Sequence, residues 1–328
     1  MEKIDIVYAW CDISDKIFYD EKIKLEKKLK ITTESDENKN YRYNQFDELK
    51  YSIRSIFKYA DWVNHIYIIT NKQIPEWFNI DNTKVTIIDH KEIIPNHILP
   101  TFNILCIENF IHEIPGLSDM YIYFNDDFFL NKKIKPKDFF YNQKPIIRFN
   151  KPAVFSKNIY YSFNEDKSVN LYKKILTNSH NLFCKKNNAM LNILIPTHGC
   201  DAYSKSLMKK IISKYPEVIK ENSFNFRKDT MYSRVLFSYE MAFEENCKSI
   251  TYNYNISRIK KIIVLLFHKN FYFNVEHQDK RDNINKKLFL IRFYNPICFC
   301  LNDLTPKSAE IALKYLKKRF SIKSICEK

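Results

Sequence analysis

Residues 120–129 read MYIYFNDDFF, and the change of character inside this run decides how the chain is read. Met120, Tyr121, Ile122, Tyr123 and Phe124 suit a strand. Asn125-Asp126-Asp127 interrupts them, and Phe128, Phe129 and Leu130 resume the apolar pattern. Two adjacent carboxylates set between apolar runs carry a large desolvation cost unless a partner neutralises them. A hard cation such as Mg2+ or Mn2+ is a natural partner, because it takes oxygen ligands and commonly shares its shell with substrate phosphates. Asn125, Asp126 and Asp127 are therefore candidate metal ligands. The plainer reading is a turn after an edge strand, since Asn and Asp both form turns.

Working outward, residues 3–10, 65–70 (HIYIIT) and 85–89 (VTIID) read as further strands. Residues 46–59 place Leu49, Ile53, Ile56 and Phe57 at helical spacing. Residues 16–40 suggest a helix and a mobile loop, 75–78 a short helix opened by Pro75, and 101–112 another helix. This alternation implies an α/β fold: a mostly parallel open sheet with helices on both faces, Rossmann-like. Ligands of such sheets bind outside the carboxyl ends of the strands. Asp12, Asn71, Asp89 and the Asn125-Asp126-Asp127 run all fall at or just after such ends, which favours the metal reading.

Farther along, residues 150–195 suggest an irregular insertion of hairpins over the cleft. Residues 202–220 read as a helix with Asp201 as its N-cap, and 234–243 as another. Thr305-Pro306 opens a final helical tail whose Ala309, Ala312, Leu313, Leu316 and Phe320 share one face, flanked by Lys314, Lys317, Lys318 and Arg319. The expected division is a catalytic α/β domain over 1–255, with 150–195 inserted, and a basic C-terminal segment over 256–328. That segment either packs on the domain or touches a membrane surface.

Composition narrows the function. The 328 residues, 45% of them hydrophobic, suffice for one elaborated domain or two smaller ones. No apolar run is long enough to span a bilayer, and the N-terminal residues lack a signal-peptide layout, so a cytoplasmic protein is expected. The net charge of +15 favours anionic partners, including an anionic membrane surface met peripherally at its inner face through residues 305–323. The basic segments lack the aromatic-glycine signatures of nucleic-acid modules, so no nucleic-acid partner is expected. The eight cysteines form no C-x-x-C pair, which argues against a zinc ribbon or a disulfide framework. With only Gly116 and Gly199, neither a G-x-G-x-x-G fingerprint nor a Walker A loop can be written. Any nucleotide must be held another way.

Four stretches go beyond a generic α/β pattern: IDIVYAWCDISD at 4–15; RYNQFDELKYSIRSIFKYADWVNHIYIITNKQIPEW from 42, continuing through VTIIDHKEIIP, LPTFN and YFNDDFF; PTHGCDAYSKSLMKKIISKYPEVIKENSFNFR at 196–227 with FSY at 237–239; and FCLND at 299–303. Together they resemble the Stealth family, the sugar-1-phosphate transferases of bacterial capsule synthesis and the animal enzyme that places GlcNAc-1-phosphate on lysosomal glycans. Cys11 and Ile13 depart from the Val and Gly more usual there.

The resemblance implies a glycosyltransferase-A-like fold and transfer of a hexose-1-phosphate from a UDP-sugar to a hydroxyl of an oligosaccharide or polysaccharide acceptor, with release of UMP. It implies that Asn125, Asp126 and Asp127 hold the divalent cation and that His198 is the general base. Arg227 would brace phosphate oxygens, which its guanidinium fork suits. Asp12 would meet the nucleotide or a metal-bound ligand. Arg42, Asn44, Glu48 and Arg54 would form a polar cluster at a helix start, with the arginines serving the donor diphosphate or sugar and Glu48 orienting one of them. Asn103 would touch the donor sugar. A conventional metal-dependent glycosyltransferase, with Asn-Asp-Asp in the Asp-x-Asp role, is the competing reading. A non-enzymatic polyanion-binding protein is the third.

Overall fold

The computed structural model describes residues 2–30, 43–150, 171–189, 191–197, 199–228, 230–245, 247–252, 272–274, 281–301 and 304–328. The first half runs β1 (Ile4–Ala9), α1 (Lys16–Lys28), α2 (Glu48–Tyr59), β2 (Ile66–Thr70), β3 (Val85–Asp89), α3 (His90–Ile93), α4 (Ile104–Asn109), β4 (Met120–Asn125) and β5 (Phe128–Leu130). A small hairpin, β6 (Phe140–Tyr141) and β7 (Lys144–Pro145), precedes β8 (Ile147–Asn150). Then come α5 (Leu171–Asn187), β9 (Ile195–Pro196), β10 (Asp201–Ser204), α6 (Lys205–Lys214), α7 (Pro216–Asn222), α8 (Ser233–Phe243) and β11 (Ser249–Tyr252). The last described elements are β12 (Tyr272–Asn274), α9 (Arg281–Tyr294), β13 (Cys298–Cys300) and α10 (Pro306–Arg319).

The central sheet has the order β10–β4–β1–β2–β3 and is parallel except for β10, which runs antiparallel to β4. This is the mostly parallel open sheet expected from the alternation of strands and helices. Its strands read as continuous apolar runs because both faces are covered. Ile6, Tyr8, Ile122 and Phe124 face one core with Leu49, Ile53 and Ile56 of α2. Val7, Tyr121 and Tyr123 face the other, against Cys106 of α4, Met208 of α6 and Val235 of α8.

Register places Ala9 beside Asn125 at the carboxyl edge. There the chain turns at Asp126-Asp127 and enters a second sheet, β12–β13–β5, in which β13 runs antiparallel to β5. The edge of β5 turned towards α2 meets serines instead of a strand. Leu130 N–H donates to Ser55 Oγ at 2.9 Å, and the Ser52 hydroxyl donates to the Phe128 carbonyl.

Several sequence expectations need correction. Residues 75–78 form a turn closed by Phe78 N–H to Pro75 O at 2.9 Å, too short to repeat a helical bond. Residues 101–112 hold only α4, followed by a 3-10 turn at Ile111–Glu113. The helix read over 202–220 is a strand and two helices: Asp201 opens β10, Ser204 is the N-cap, and Pro216 starts α7 afresh. Within 150–195, residues 171–187 are helical where hairpins were expected, and 151–170 lie outside the described residues. The apolar face of α10 is packed inward, with Ala312, Leu316 and Phe320 in one cluster with Phe129 and Phe299. Among the described residues, no helix is long and apolar enough to cross a membrane.

Residues after α10 return to the central sheet's flank. Asn79 N–H donates to Cys326 O at 2.8 Å, and Lys328 N–H to Trp77 O at 3.0 Å. Arg54 grips the same segment, with Nε 2.8 Å and Nη2 2.5 Å from the two Glu327 oxygens and Nη1 2.8 Å from Phe320 O. Burial opposes ionisation of Glu327, but the Arg54 guanidinium outweighs it and holds the carboxyl below the ordinary 4.5. The pair's contribution is therefore complete above that value and is lost as pH falls through the lowered pKa. Glu327→Gln leaves a buried guanidinium uncompensated and is expected to cost about 3–5 kcal/mol at neutral pH. Urea melts at neutral and acid pH check this: the cost should shrink in acid, and an equal cost at both would show that the charge is not what matters.

Candidate functional site

Two cavities meet at the carboxyl edge of the central sheet. The larger, about 620 Å3, is walled by Cys11 after β1, by Asn44, Gln45 and Glu48 at the start of α2, by Asn125, Asp126 and Asp127, and by Leu301 and Thr305. The smaller, about 180 Å3, is lined by Glu108, Tyr172, Thr197, Asp201, Tyr203, Tyr232 and Arg234. Asn125, Ile104 and Arg227 line both.

The acidic turn is tightly held. Gln45 Nε2 donates to Asp126 Oδ2 at 2.6 Å, and Cys300 Sγ–H to Asp127 Oδ2 at 2.9 Å. Leu301 N–H donates to Asp127 O at 3.1 Å. Burial pushes the Asp126 carboxyl up, against the lowering effect of the Gln45 bond. Glu48, only 7% exposed, accepts from Phe46 N–H at 2.5 Å, yet burial and then the charge of Asp126 raise it to about 8. A patch that resists its own negative charge suits a cation. Magnesium typically uses one or two carboxylates and fills its shell with water and phosphate oxygens. Asp126 and Asp127 fit that donor set, although the described residues contain no cluster of three or more acidic, His or Cys side chains able to hold a metal alone.

The other sequence candidates separate. Asn44 and Arg227 line the cleft. Asp12 does not present its side chain there: Oδ1 accepts from Ser14 N–H at 2.8 Å, its backbone bonds twice to Gln73, and Cys11 is the residue that lines the cavity. Arg54 is committed to Glu327 and Phe320, so it does not serve the donor and Glu48 does not orient it. Asn103 is fully buried as the N-cap of α4; its Oδ1 accepts from Leu105 N–H at 3.1 Å and its amide donates to Asn222 O, which leaves no contact for a sugar. Arg42 and His198 lie outside the described residues.

Residues missed by the sequence reading include Gln45 and His90. His90 lines the larger cleft, and burial lowers it to about 4, so it is neutral near pH 7. Arg234 was missed as well. It donates to Tyr203 at 2.6 Å, Glu108 at 3.1 Å, Tyr232 at 2.9 Å and Asp201 at 2.7 Å. A single arginine in the apolar run SRVLFSYEMAF was the available signal.

Residues 42–147 match the model of Stealth protein CR2, conserved region 2. The chain is similar to the capsular polysaccharide phosphotransferase fcs1 of Haemophilus influenzae, 32% identical over 92% of this chain and 78% of that one. It is also similar to the exopolysaccharide phosphotransferase cps2G of Lactiplantibacillus plantarum, 44% identical over 42% of this chain; that match spans only 39% of the relative's length. The galactosyltransferase LgtC, solved with donor and acceptor sugar analogues, overlays with a TM-score of 0.42 and 10% identity over 96% of this chain and 95% of that one.

The raised Glu48 supplies a direct check. Folding favours its protonated form, so its contribution is complete below the ordinary 4.5 and is lost as pH rises through about 8. Glu48→Gln is expected to match the parent at about pH 4 and to melt at higher temperature at about pH 9 in metal-free buffer. Calorimetry at the two pH values measures it; the same difference in Tm at both would show that Glu48 is not held in that field.

Proposed function

Given that the chain belongs to the Stealth family, we propose that it transfers a hexose-1-phosphate from a UDP-sugar to a hydroxyl of an oligosaccharide or polysaccharide acceptor, in the synthesis of a capsule or other surface polysaccharide. The observation that carries this reading is the Asp126-Asp127 turn, which opens into a large cleft beside Arg227. In the reaction the acceptor oxygen bonds to the sugar-bearing phosphorus. The bond from that phosphorus to the bridging oxygen breaks, UMP leaves with that oxygen, and a phosphodiester results. The sugar–phosphate bond is untouched.

Phosphoryl transfer needs positioning and charge neutralisation more than covalent help. A bound Mg2+ or Mn2+ would neutralise the diphosphate. Asp126 and Asp127 would hold it, with Gln45 fixing the Asp126 rotamer. Arg227 lines both cavities, where its guanidinium would brace phosphate oxygens. His198 takes the acceptor proton in this scheme. The proposed setting is the reducing cytoplasm, where thiols stay unbridged. Contact with an anionic membrane through 305–323 would be electrostatic, since the apolar face of α10 is buried.

Incubation with Mg2+, a panel of UDP-sugars and an oligosaccharide acceptor is expected to release UMP and to give a phosphodiester signal by phosphorus NMR. Asp127→Asn should lower turnover by about a hundredfold or more. Release of UDP in place of UMP would favour the conventional glycosyltransferase and sink this reading.

A further inference from the structure

We infer that α9 is a membrane-docking element: Phe289 and Phe293 insert their rings among the headgroups of an anionic phospholipid bilayer, while the basic side chains around them meet the lipid phosphates. The inference deepens the membrane contact proposed above and rests on that reading for its setting. It assigns the apolar part of the contact to α9, the helix beside α10.

The two faces of α9 differ. Ile284, Leu288 and Ile291 are buried in one cluster with Phe299 and Leu316. The opposite face carries Phe289 and Phe293, 62% and 59% exposed. They stand one turn apart and stack on each other, with ring centroids 6.2 Å apart and planes inclined by 19°. Single exposed apolar side chains are ordinary, whereas contiguous large ones mark a contact surface. The helix is already anchored to the core by its other face, so the outer rings add nothing to folding.

Charge selects the occupant. Lys286 and Arg292 stand one turn before and one turn after Phe289, and both are exposed. Residues 283–302 contain no Asp or Glu. Lys132 adds a cation at the carboxyl end of the helix, where its Nζ donates to Asn295 O at 2.8 Å.

The flank of α10 continues the charge. The Arg292 guanidinium lies 5.0 Å from the Tyr315 ring. Asn131 ties the ends of the two helices: its Nδ2 donates to Asn295 Oδ1 at 2.9 Å, and its carbonyl accepts from Arg319 Nη2 at 2.6 Å. The helices therefore lie side by side, with Lys317 and Lys318 exposed on the second. A second copy of this face would set cation against cation. An anionic bilayer satisfies both parts of the surface, because its headgroups attract Lys and Arg and its interface accepts aromatic rings.

Co-sedimentation of the full chain with vesicles tests this, using phosphatidylcholine alone and phosphatidylcholine mixed with phosphatidylglycerol in equal parts. The parent is expected to bind the mixed vesicles and to stay in solution with the neutral ones. The double variant Phe289→Ser/Phe293→Ser should partition at least about tenfold more weakly, and Lys286→Gln about fivefold. Both rings are more than half exposed, so the double variant keeps its core, and Lys286→Gln reports independently of it. Absence of binding to the mixed vesicles, equal binding to both kinds, or binding untouched by the double variant overturns the inference. So does a parent dimer in sedimentation velocity that the double variant abolishes, which would make the face an interface between copies. Failure to release UMP in the turnover assay with a soluble acceptor would sink the transfer reading and leave the vesicle result standing.

Discussion

The chain leaves the central sheet at Asn125 and re-enters pairing at Phe128, with two residues in which to turn. Buried backbone must find partners on both sides of that turn. β13 supplies one side, pairing Cys300 with Phe128. On the other, the Ser52 and Ser55 hydroxyls stand where a neighbouring strand would be, and Tyr8 bonds to Ser52 at 2.8 Å from the central sheet. The two aspartates are thus fixed by backbone pairing in two sheets and by one helix, before any ligand acts on them. A carboxylate pair in a strongly resisting environment keeps its place because the backbone allows no other.

This explains why the site draws on distant parts of the chain. Gln45 comes from the approach to α2, Cys300 and Leu301 from the end of β13, and Arg227 from the segment ahead of α8. The first and last are carried by segments leading into α2 and α8, which pack on opposite faces of the central sheet, and Cys300 belongs to a strand of the second sheet. The larger cleft collects groups that manage negative charge, while the smaller collects a balanced set around Arg234. The boundary between them is the Asn125–Arg227 junction, which both share.

Much of this was legible in the sequence where the information was local. The apolar strands, the amphipathic α2 and the acidic interruption at 125–127 each announce themselves within a few residues, and their alternation dictates the parallel sheet. Failures followed where partners are remote or patterns short. Arg54 looked like a ligand-facing arginine because its partner, Glu327, is 273 residues away. Asn103 looked polar and available, but it caps α4 and bonds Asn222. The four residues of β10 are too few to show a period, and an edge position opposite β4 made them a strand. Arg234 was hidden by the helix around it; its carboxylate partners lie on α4 and β10.

The pairing of β5 with β13 also has a consequence in time. The second face of the acidic turn does not exist until residues 298–300 have left the ribosome. At ~5–20 residues per second, that is on the order of ten seconds after β4 emerges. The central sheet's first strands can assemble in that interval, while Asp126 and Asp127 lack the β13 side of their anchorage. A nascent chain of this protein therefore carries the parallel strands of its central sheet well before its carboxylate pair is held from both sides.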